Sequence, residues 1–209
     1  MQKISTDQIT GLILAGGQGM RMGKVNKGLQ PFNGKPMILH VIDRLETQVG
    51  SLIINVNHDR DLYAQFGFTL LADTLPNYLG PLAGLHAGFT QCKTAFIATA
   101  PCDTPFLPRN LVEELRLTLQ NSNAQIAVAL SLEKGITCDE WHQQPLFCLA
   151  RTSLRESLEK FLQGGGRKVK DWLATIEVVN VKFTECEAFR NINTLEELNG
   201  YATNSHHSN

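Results

Sequence analysis

The chain lacks the features that point to a membrane, a disulfide-bonded scaffold or a long nucleic acid. None of its apolar runs approaches the roughly 20 residues that a membrane-spanning helix needs. Its five cysteines include no Cys-x-x-Cys pair, which argues against a disulfide framework and against a zinc site. The formal net charge is only -1, so no basic excess indicates DNA, RNA or an anionic membrane surface as a partner. A small anionic ligand is compatible with this balance, because a few local charges suffice to bind it.

The overall composition is that of an ordinary globular protein, with 43% hydrophobic and 19% charged residues. No linker of biased composition divides the chain, so we expect residues 1–209 to form one domain with a disordered tail over 203–209. The segment Met1 to Thr10 is polar and lacks the layout of a signal peptide, which predicts a cytoplasmic protein.

Short apolar runs alternate with segments of helical periodicity along most of the chain. Strands are predicted over 11–15, 51–56, 68–72, 94–99, 125–130, 146–150 and 176–181. Helices are predicted after Pro36, over 59–66 and 81–92, after Pro108, around 154–162 and from Thr194, whereas 133–144 is a less regular polar stretch. This order predicts an α/β fold: a three-layer α/β/α sandwich with a mostly parallel, Rossmann-like sheet.

The strongest local signal is a glycine-rich, cationic loop, Leu14 to Gly28, that directly follows the first predicted strand. It contains five glycines together with Arg21, Lys24 and Lys27. Glycines let backbone N–H groups approach an anion, and the cations offer charge to phosphate oxygens, so the loop has the components of a triphosphate clamp. Neither the P-loop pattern nor the dinucleotide-binding pattern is present. Glycine and charge alone fit a solvated surface turn equally well.

Taken as a string, the loop resembles the L-A-G-G-x(n)-R-M-G-x-x-K signature of enzymes that transfer a nucleoside monophosphate from a nucleoside triphosphate. Further motifs make the chain most similar to the molybdenum cofactor guanylyltransferases. These motifs are Asn55 in I-I-N-V-N, Asp73 in A-D-T, Gly80 to Gly84, Pro101 to Pro105 and Asn191 to Leu198, in the family's order. The resemblance runs from Gly11 to about Leu198 and is weakest over 131–182.

The resemblance implies transfer of GMP from GTP to molybdopterin, with release of pyrophosphate and formation of the molybdenum guanine dinucleotide cofactor. Mg2+ is the implied cofactor and Asp103 its implied ligand, while the implied catalytic residues are Arg21, Lys27 and Asp103. Proteins that donate molybdopterin, and molybdoenzymes that receive the finished cofactor, are further implied partners. No long nucleic acid and no membrane is expected.

The resemblance also implies two sets of contacts. The nucleotide contacts are Leu14, Ala15, Gly16, Gly17, Arg21, Lys27, Asn55, Asp73 and Asp103, in a nucleotide-binding half over 11–130. The acceptor contacts are Gly80, Pro81, Leu82, Gly84, Asn191 and Asn193, with residues 131–200 forming the acceptor-binding half.

The residues themselves support part of this assignment. Asp103 follows an apolar strand and precedes Pro105, so we expect its carboxylate at the strand's end as the hard oxygen ligand that magnesium prefers. A turn aspartate before proline is the structural alternative. Asp73 also follows a strand, where a solvated loop carboxylate is the alternative. For Asn55, a hydrogen bond between strand ends explains the residue nearly as well as a nucleotide contact.

Some features leave alternatives open. Met20 stands where the family commonly has a second arginine, and Asn26 where it commonly has an aspartate that could orient Lys27. The cluster Gly164 to Lys168 fits either an acceptor phosphate site or a helix end. The alternatives to GMP transfer are CMP transfer to molybdopterin, another nucleotidyl transfer to a phosphate or sugar phosphate, and a non-catalytic module that binds nucleotide and delivers cofactor.

Overall fold

The structure, a computed structural model, describes residues 3–17, 26–75, 80–133 and 140–192. Its strands are β1 (Ile9–Leu14), β2 (Pro31–Phe32), β3 (Lys35–Pro36), β4 (Ser51–Asn55), β5 (Thr69–Leu71), β6 (Phe96–Pro101), β7 (Ile126–Glu133), β8 (Glu140–Arg151) and β9 (Val178–Phe183). Its helices are α1 (Met37–Leu45), α2 (Arg60–Ala64), α3 (Pro81–Gln91), α4 (Leu111–Gln120), α5 (Arg155–Gln163) and α6 (Val169–Leu173). None of these described helices combines the length and the hydropathy needed to cross a membrane.

Seven of the strands form one sheet in the order β5-β4-β1-β6-β8-β7-β9. β5, β4, β1 and β6 pair in parallel, β8 is antiparallel to both β6 and β7, and β9 is parallel to β7. Within this described sheet, β8 therefore runs against the other strands. The short strands β2 and β3 form a separate antiparallel hairpin that leads into α1.

Helices cover both faces of the sheet because its central strands are apolar on both sides. Leu12 of β1 belongs to a hydrophobic cluster with α3, α5 and α6. Ile9 and Ile13 of the same strand belong to a second cluster with α1, α2 and α4. This arrangement confirms the predicted three-layer α/β/α sandwich with a mostly parallel sheet.

The predicted elements match the observed ones to within a few residues up to position 130, but the next segment differs more. β8 begins at Glu140 rather than at 146, because its polar first residues pair with the end of β7. A bulge separates the polar and apolar parts, so that Val128 pairs with Cys148 but Ala129 pairs with Gln144. The short helix α6 escaped prediction because it is too short to display helical periodicity. The predicted helix from Thr194 and the tail lie outside the described residues.

Candidate active site

Four parallel strands end side by side at one edge of the sheet. Leu14 of β1 is in register with Asn55 of β4 and with Pro101 of β6, and Asn55 is in register with Leu71 of β5. The contact continues past the strands, since the Ala15 N–H donates to the Asn55 carbonyl at 2.8 Å. We call this the C-terminal edge, and the residues that follow these four strands meet there.

The glycine-rich loop returns to the C-terminal edge at Lys27. The Lys27 Nζ atom lies 3.2 Å from Asp103 Oδ2, in an ion pair whose side chains are 22% and 12% exposed. Lys27 begins a 3-10 turn that ends at Leu29, and Asp103 follows closely after β6. The end of the loop after β1 therefore lies next to the carboxylate after β6, as expected if both groups bind one triphosphate.

The turn that carries Lys27 packs tightly on the end of β6. A Cβ atom added to Gly28 would lie 3.2 Å from Cys102 Sγ and 2.6 Å from Tyr63 Oη, so even a small side chain would displace its neighbours. Burial, and to a lesser extent the adjacent Asp103 carboxylate, raises the pKa of the Cys102 thiol well above its ordinary value. Cys102 is therefore a neutral packing residue below the ion pair and not a nucleophile.

Two asparagine side chains hold Asp73 at the same edge. Asn55 Nδ2 donates to Asp73 Oδ1, and Asn57 Nδ2 donates to Asp73 Oδ2, each at 2.9 Å. The Asp73 backbone N–H donates back to Asn57 Oδ1, also at 2.9 Å. Asn57 Nδ2 further donates to the Gly16 carbonyl at 3.2 Å. Asn57 thus ties the loop after β1 to the segment after β5.

The sequence reasoning named Asn55 and Asp73 but missed Asn57. The signal was available, because side chains two residues apart on an extended chain project to the same side. An amide at 57 should therefore have been considered with the amide at 55. The structural alternative given for Asn55, a hydrogen bond between strand ends, is present, and it uses the Nδ2 donor of the amide group.

Helix α3 approaches the C-terminal edge through a glycine. A Cβ atom on Gly84 would clash with Asn55 Oδ1 and would lie 2.9 Å from Leu14 Cδ2. A Cβ atom on Gly16, in the loop after β1, would lie 2.8 Å from the same Asn55 oxygen. Glycine at both positions lets the helix and the loop approach the Asn55 side chain closely.

The predicted acceptor residues lie around the start of α3 and at the end of the described chain. Gly80, with a φ of 66°, turns the chain into α3 and is exposed. Leu82 is fully buried in the core, so its side chain is not available to a ligand. The Ile192 N–H donates to the Asp103 carbonyl at 3.0 Å, which brings the segment with Asn191 beside Asp103.

Several sequence predictions lie elsewhere. Arg21, Met20 and Asn193 fall outside the described residues. In the cluster Gly164 to Lys168, Arg167 Nη1 donates to the Leu162 carbonyl at 3.0 Å and to the Gly166 carbonyl at 2.6 Å. Because these bonds satisfy carbonyl groups at and just after the end of α5, they favour the helix-end explanation over an acceptor phosphate site.

Asp103 has the chemistry of a ligand for magnesium that is bound together with substrate phosphates. Its Oδ1 atom accepts no hydrogen bond from the described residues, and its Oδ2 atom is paired with a lysine, which can equally bind a phosphate. Among the described residues, no three His, Cys, Asp or Glu side chains gather as a metal cage. Magnesium does not require one, because one or two carboxylates plus phosphates and water usually hold it.

A Rossmann-like sheet that brings Lys27, at the end of a glycine-rich segment, to an aspartate at its C-terminal edge fits one class of protein, the nucleotidyltransferases. Comparison with known proteins identifies the family. Residues 11–179 match the model of the MobA-like NTP transferase domain, and the chain belongs to this family. The predicted family and enzyme class are thereby confirmed.

Individual relatives agree with this assignment. The chain is 48% identical to the molybdenum cofactor guanylyltransferase of Ralstonia pickettii over 95% of this chain and 98% of the relative. It is 46% identical to the protein of the same name from Cupriavidus metallidurans, over 93% and 95% of the two chains. The crystal structure of molybdopterin-guanine dinucleotide biosynthesis protein A from Archaeoglobus fulgidus shares the fold, with a TM-score of 0.75, 21% identity and coverage of 94% and 98%.

Proposed function

We propose that this enzyme transfers GMP from GTP to molybdopterin, releasing pyrophosphate and forming the molybdenum guanine dinucleotide cofactor. The observation that carries the proposal is the 48% identity, over 95% of the chain, to a molybdenum cofactor guanylyltransferase. The geometry supports it, because Lys27, Asp103, Asn55 and Asp73 line one edge of the sheet. Transfer of CMP, transfer to another phosphate, and a non-catalytic delivery role have no comparable support.

The reaction needs charge neutralisation more than proton transfer. The terminal phosphate of molybdopterin is already an anion, so its oxygen can attack the α-phosphorus of GTP without a general base. A new P–O bond forms there while the bond from the α-phosphorus to the bridging oxygen breaks, and pyrophosphate leaves on the opposite side. Lys27 would neutralise charge on the triphosphate, and Arg21 would offer a forked donor to the same phosphates.

Asp103 would hold magnesium at this site. When bound, the ion supplies positive charge to the phosphate oxygens on which negative charge develops. Because the Asp103 carboxylate is paired with Lys27 in the structure, we expect Lys27 to leave it for a phosphate oxygen when the nucleotide enters. The lysine would then change partner without leaving the C-terminal edge.

The nucleotide and the acceptor would occupy different parts of the edge. Asn55, Asp73 and the loop residues Leu14 to Gly17 form the proposed nucleotide side. The proposed acceptor side consists of Gly80, Pro81, Gly84, Asn191 and Asn193, with Leu82 contributing only its backbone because its side chain is buried. A cytoplasmic location, exchange with molybdopterin-donating and molybdoenzyme proteins, and the division into two halves stay predictions.

A pyrophosphate-release assay with molybdopterin as acceptor tests the function. We expect release with GTP and magnesium, and at least about tenfold less with CTP, ATP or UTP at equal concentration. Release with CTP in preference to GTP would show CMP transfer instead. Tight GTP binding without release of pyrophosphate would indicate the delivery role.

Replacing Lys27 by alanine should raise the Kd for GTP at least about tenfold, because a charge-assisted contact to the triphosphate is lost. The ion pair is mostly buried, so the variant leaves the Asp103 carboxylate without its partner and should also lower the free energy of unfolding, by about 1–3 kcal/mol. Titration calorimetry and urea denaturation measure the two quantities. Lys35→Ala is the matched control, because Lys35 also forms an ion pair with an aspartate, Asp43, and neither residue is among the proposed contacts. Equal GTP affinity in both variants would remove Lys27 from the nucleotide site.

Replacing Asn57 by alanine should also weaken GTP binding, by about tenfold, because Asp73 loses two hydrogen bonds and the Gly16 carbonyl loses one. The lost bonds should lower the free energy of unfolding by about 1–2 kcal/mol. Asn121→Ala is the control, since the Asn121 amide donates to the nearby Leu117 carbonyl at the exposed end of α4. A stability loss with unchanged GTP affinity would make Asn57 a purely structural residue.

A further inference from the structure

Helix α2 and the residue before it contact the residue that precedes Lys27. The Tyr63 hydroxyl donates to Asn26 Oδ1 at 2.6 Å, and Asn26 Nδ2 donates to Asp59 Oδ2 at 3.1 Å. Tyr63 lies in α2, and Asp59 stands immediately before it. The three side chains form one directed chain of hydrogen bonds, from a buried hydroxyl through an amide to a carboxylate.

The direction of this chain follows from burial and charge. Tyr63 is fully buried, and burial raises the pKa of its hydroxyl well above the ordinary value, so the group stays protonated and donates. Asp59 is exposed and can only accept when ionised. Residue 26 must therefore accept on one side and donate on the other, which an amide does and a carboxylate does not.

Asn26 and Tyr63 also contact the turn that carries Lys27. The Asn26 carbonyl accepts from the Leu29 N–H at 3.2 Å and from Gln30 Nε2 at 3.3 Å, so residue 26 is the fixed start of the turn. Gly28, inside the turn, lies directly against the Tyr63 hydroxyl. One tyrosine thus contacts the turn at two points, on either side of Lys27 in the sequence.

We propose that Asn26, Tyr63 and Asp59 are positioning residues that hold Lys27 at the C-terminal edge, ready for the triphosphate. The inference rests on the proposed role of Lys27 in nucleotide binding. None of the three is assigned a contact with GTP, so their effect reaches the nucleotide through Lys27. Their loss should therefore weaken GTP binding more than it changes the turnover of the saturated enzyme.

The test moves the carboxylate between positions 26 and 59. Asn26→Asp places a second carboxylate beside Asp59, and we expect the Kd and the KM for GTP to rise about fivefold, with kcat changed less than about twofold. In the double variant Asn26→Asp with Asp59→Asn, residue 26 can still accept from Tyr63 and can accept from the new amide at 59, so the affinity should return to near the wild-type value. Asn33→Asp, the same chemical change in the exposed turn between β2 and β3, serves as the control.

A second route removes the donor instead. Tyr63→Phe keeps the buried ring but leaves Asn26 Oδ1 without its hydroxyl partner, and we again expect a rise of about fivefold in the Kd for GTP. Urea denaturation of each variant reports whether the fold is intact. An Asn26→Asp variant with unchanged GTP affinity, or a double variant that is no better than Asn26→Asp, would overturn the inference.

These experiments distinguish a failure of the positioning role from a failure of the proposed function. If Lys27→Ala weakens GTP binding while Asn26→Asp and Tyr63→Phe do not, the positioning role is wrong and the function stands. If Lys27→Ala leaves GTP affinity unchanged, Lys27 is not a nucleotide contact, and the positioning role is overturned with it.

Discussion

Asp103→Asn is expected to lower the rate of pyrophosphate release at least about a hundredfold, since a carboxylate that holds a metal ion beside the reacting phosphates contributes several kcal/mol to catalysis. Asparagine keeps the size of the side chain, and the backbone carbonyl of residue 103 can still accept from the Ile192 N–H. The variant should therefore fold. Steady-state release at saturating GTP and molybdopterin measures the change.

Asp43→Asn is the matched control for this change. The Asp43 side chain is 52% exposed and forms an ion pair with Lys35, so it resembles Asp103 in having a lysine partner but lies outside the proposed site. We expect its turnover to stay within about twofold of the wild-type value. GTP binding measured without magnesium should not weaken in Asp103→Asn, because the substitution frees Lys27 from its ion pair. Near-normal turnover of Asp103→Asn would exclude the carboxylate from the reaction.

Gly84→Ala is expected to abolish measurable GTP binding at concentrations that saturate the wild-type protein. The added methyl group would collide with Asn55 Oδ1 and press on Leu14 Cδ2, and both neighbours are packed between α3 and the loop after β1. Either the amide turns away from Asp73 or α3 moves off the C-terminal edge. Overpacking of this kind also lowers the free energy of unfolding by about 1–3 kcal/mol.

The control for that variant lies one turn further along the same helix. A Cβ atom on Gly88 would lie 2.6 Å from Leu12 Cδ2 and 3.2 Å from Ile97 Cδ1, so Gly88→Ala also overpacks the interface between α3 and the sheet. It does not touch Asn55. We expect a comparable loss of stability by urea denaturation but GTP affinity within about threefold of wild type. If both alanine variants lose binding equally, the effect comes from α3 as a whole and not from Asn55.

The layered fold was predictable because its inner strands are short apolar runs separated by glycine, proline and polar residues. β1, β4 and β6 carry apolar residues toward helices on both faces, which makes each of them visible as a continuous run. β8 was harder to predict, since Glu140 to Gln144 pair with β7 near its exposed end and carry no apolar pattern. A strand that forms because it pairs with a neighbour, and not because its side chains are buried, has no apolar pattern from which to predict it.

The candidate site was predictable to the level of the strand ends. Asn55, Asp73 and Asp103 were named from the family resemblance. Their positions in or after apolar strands supported this, because parallel strands bring such positions to one edge. Asn57 could have been considered together with Asn55, but the partners of Asn57 and Tyr63 could not be predicted from their own surroundings. The bonds of Asn57 reach Gly16 and Asp73, and the hydroxyl of Tyr63 reaches Asn26, all of them far away in the sequence.

The sequence by itself determined the family and the order of strands and helices, and it supplied the charged groups that we propose for the triphosphate, because these depend on local runs and on motifs read in order. Only the tertiary structure decided which groups meet: that Lys27 pairs with Asp103, that Asn57 joins Gly16 to Asp73, and that Tyr63 holds Asn26. The physical reason is that a hydrogen bond or an ion pair requires approach to about 3 Å. Separation along the chain does not show which groups come this close, because that depends on how the strands pair and how the helices pack on them.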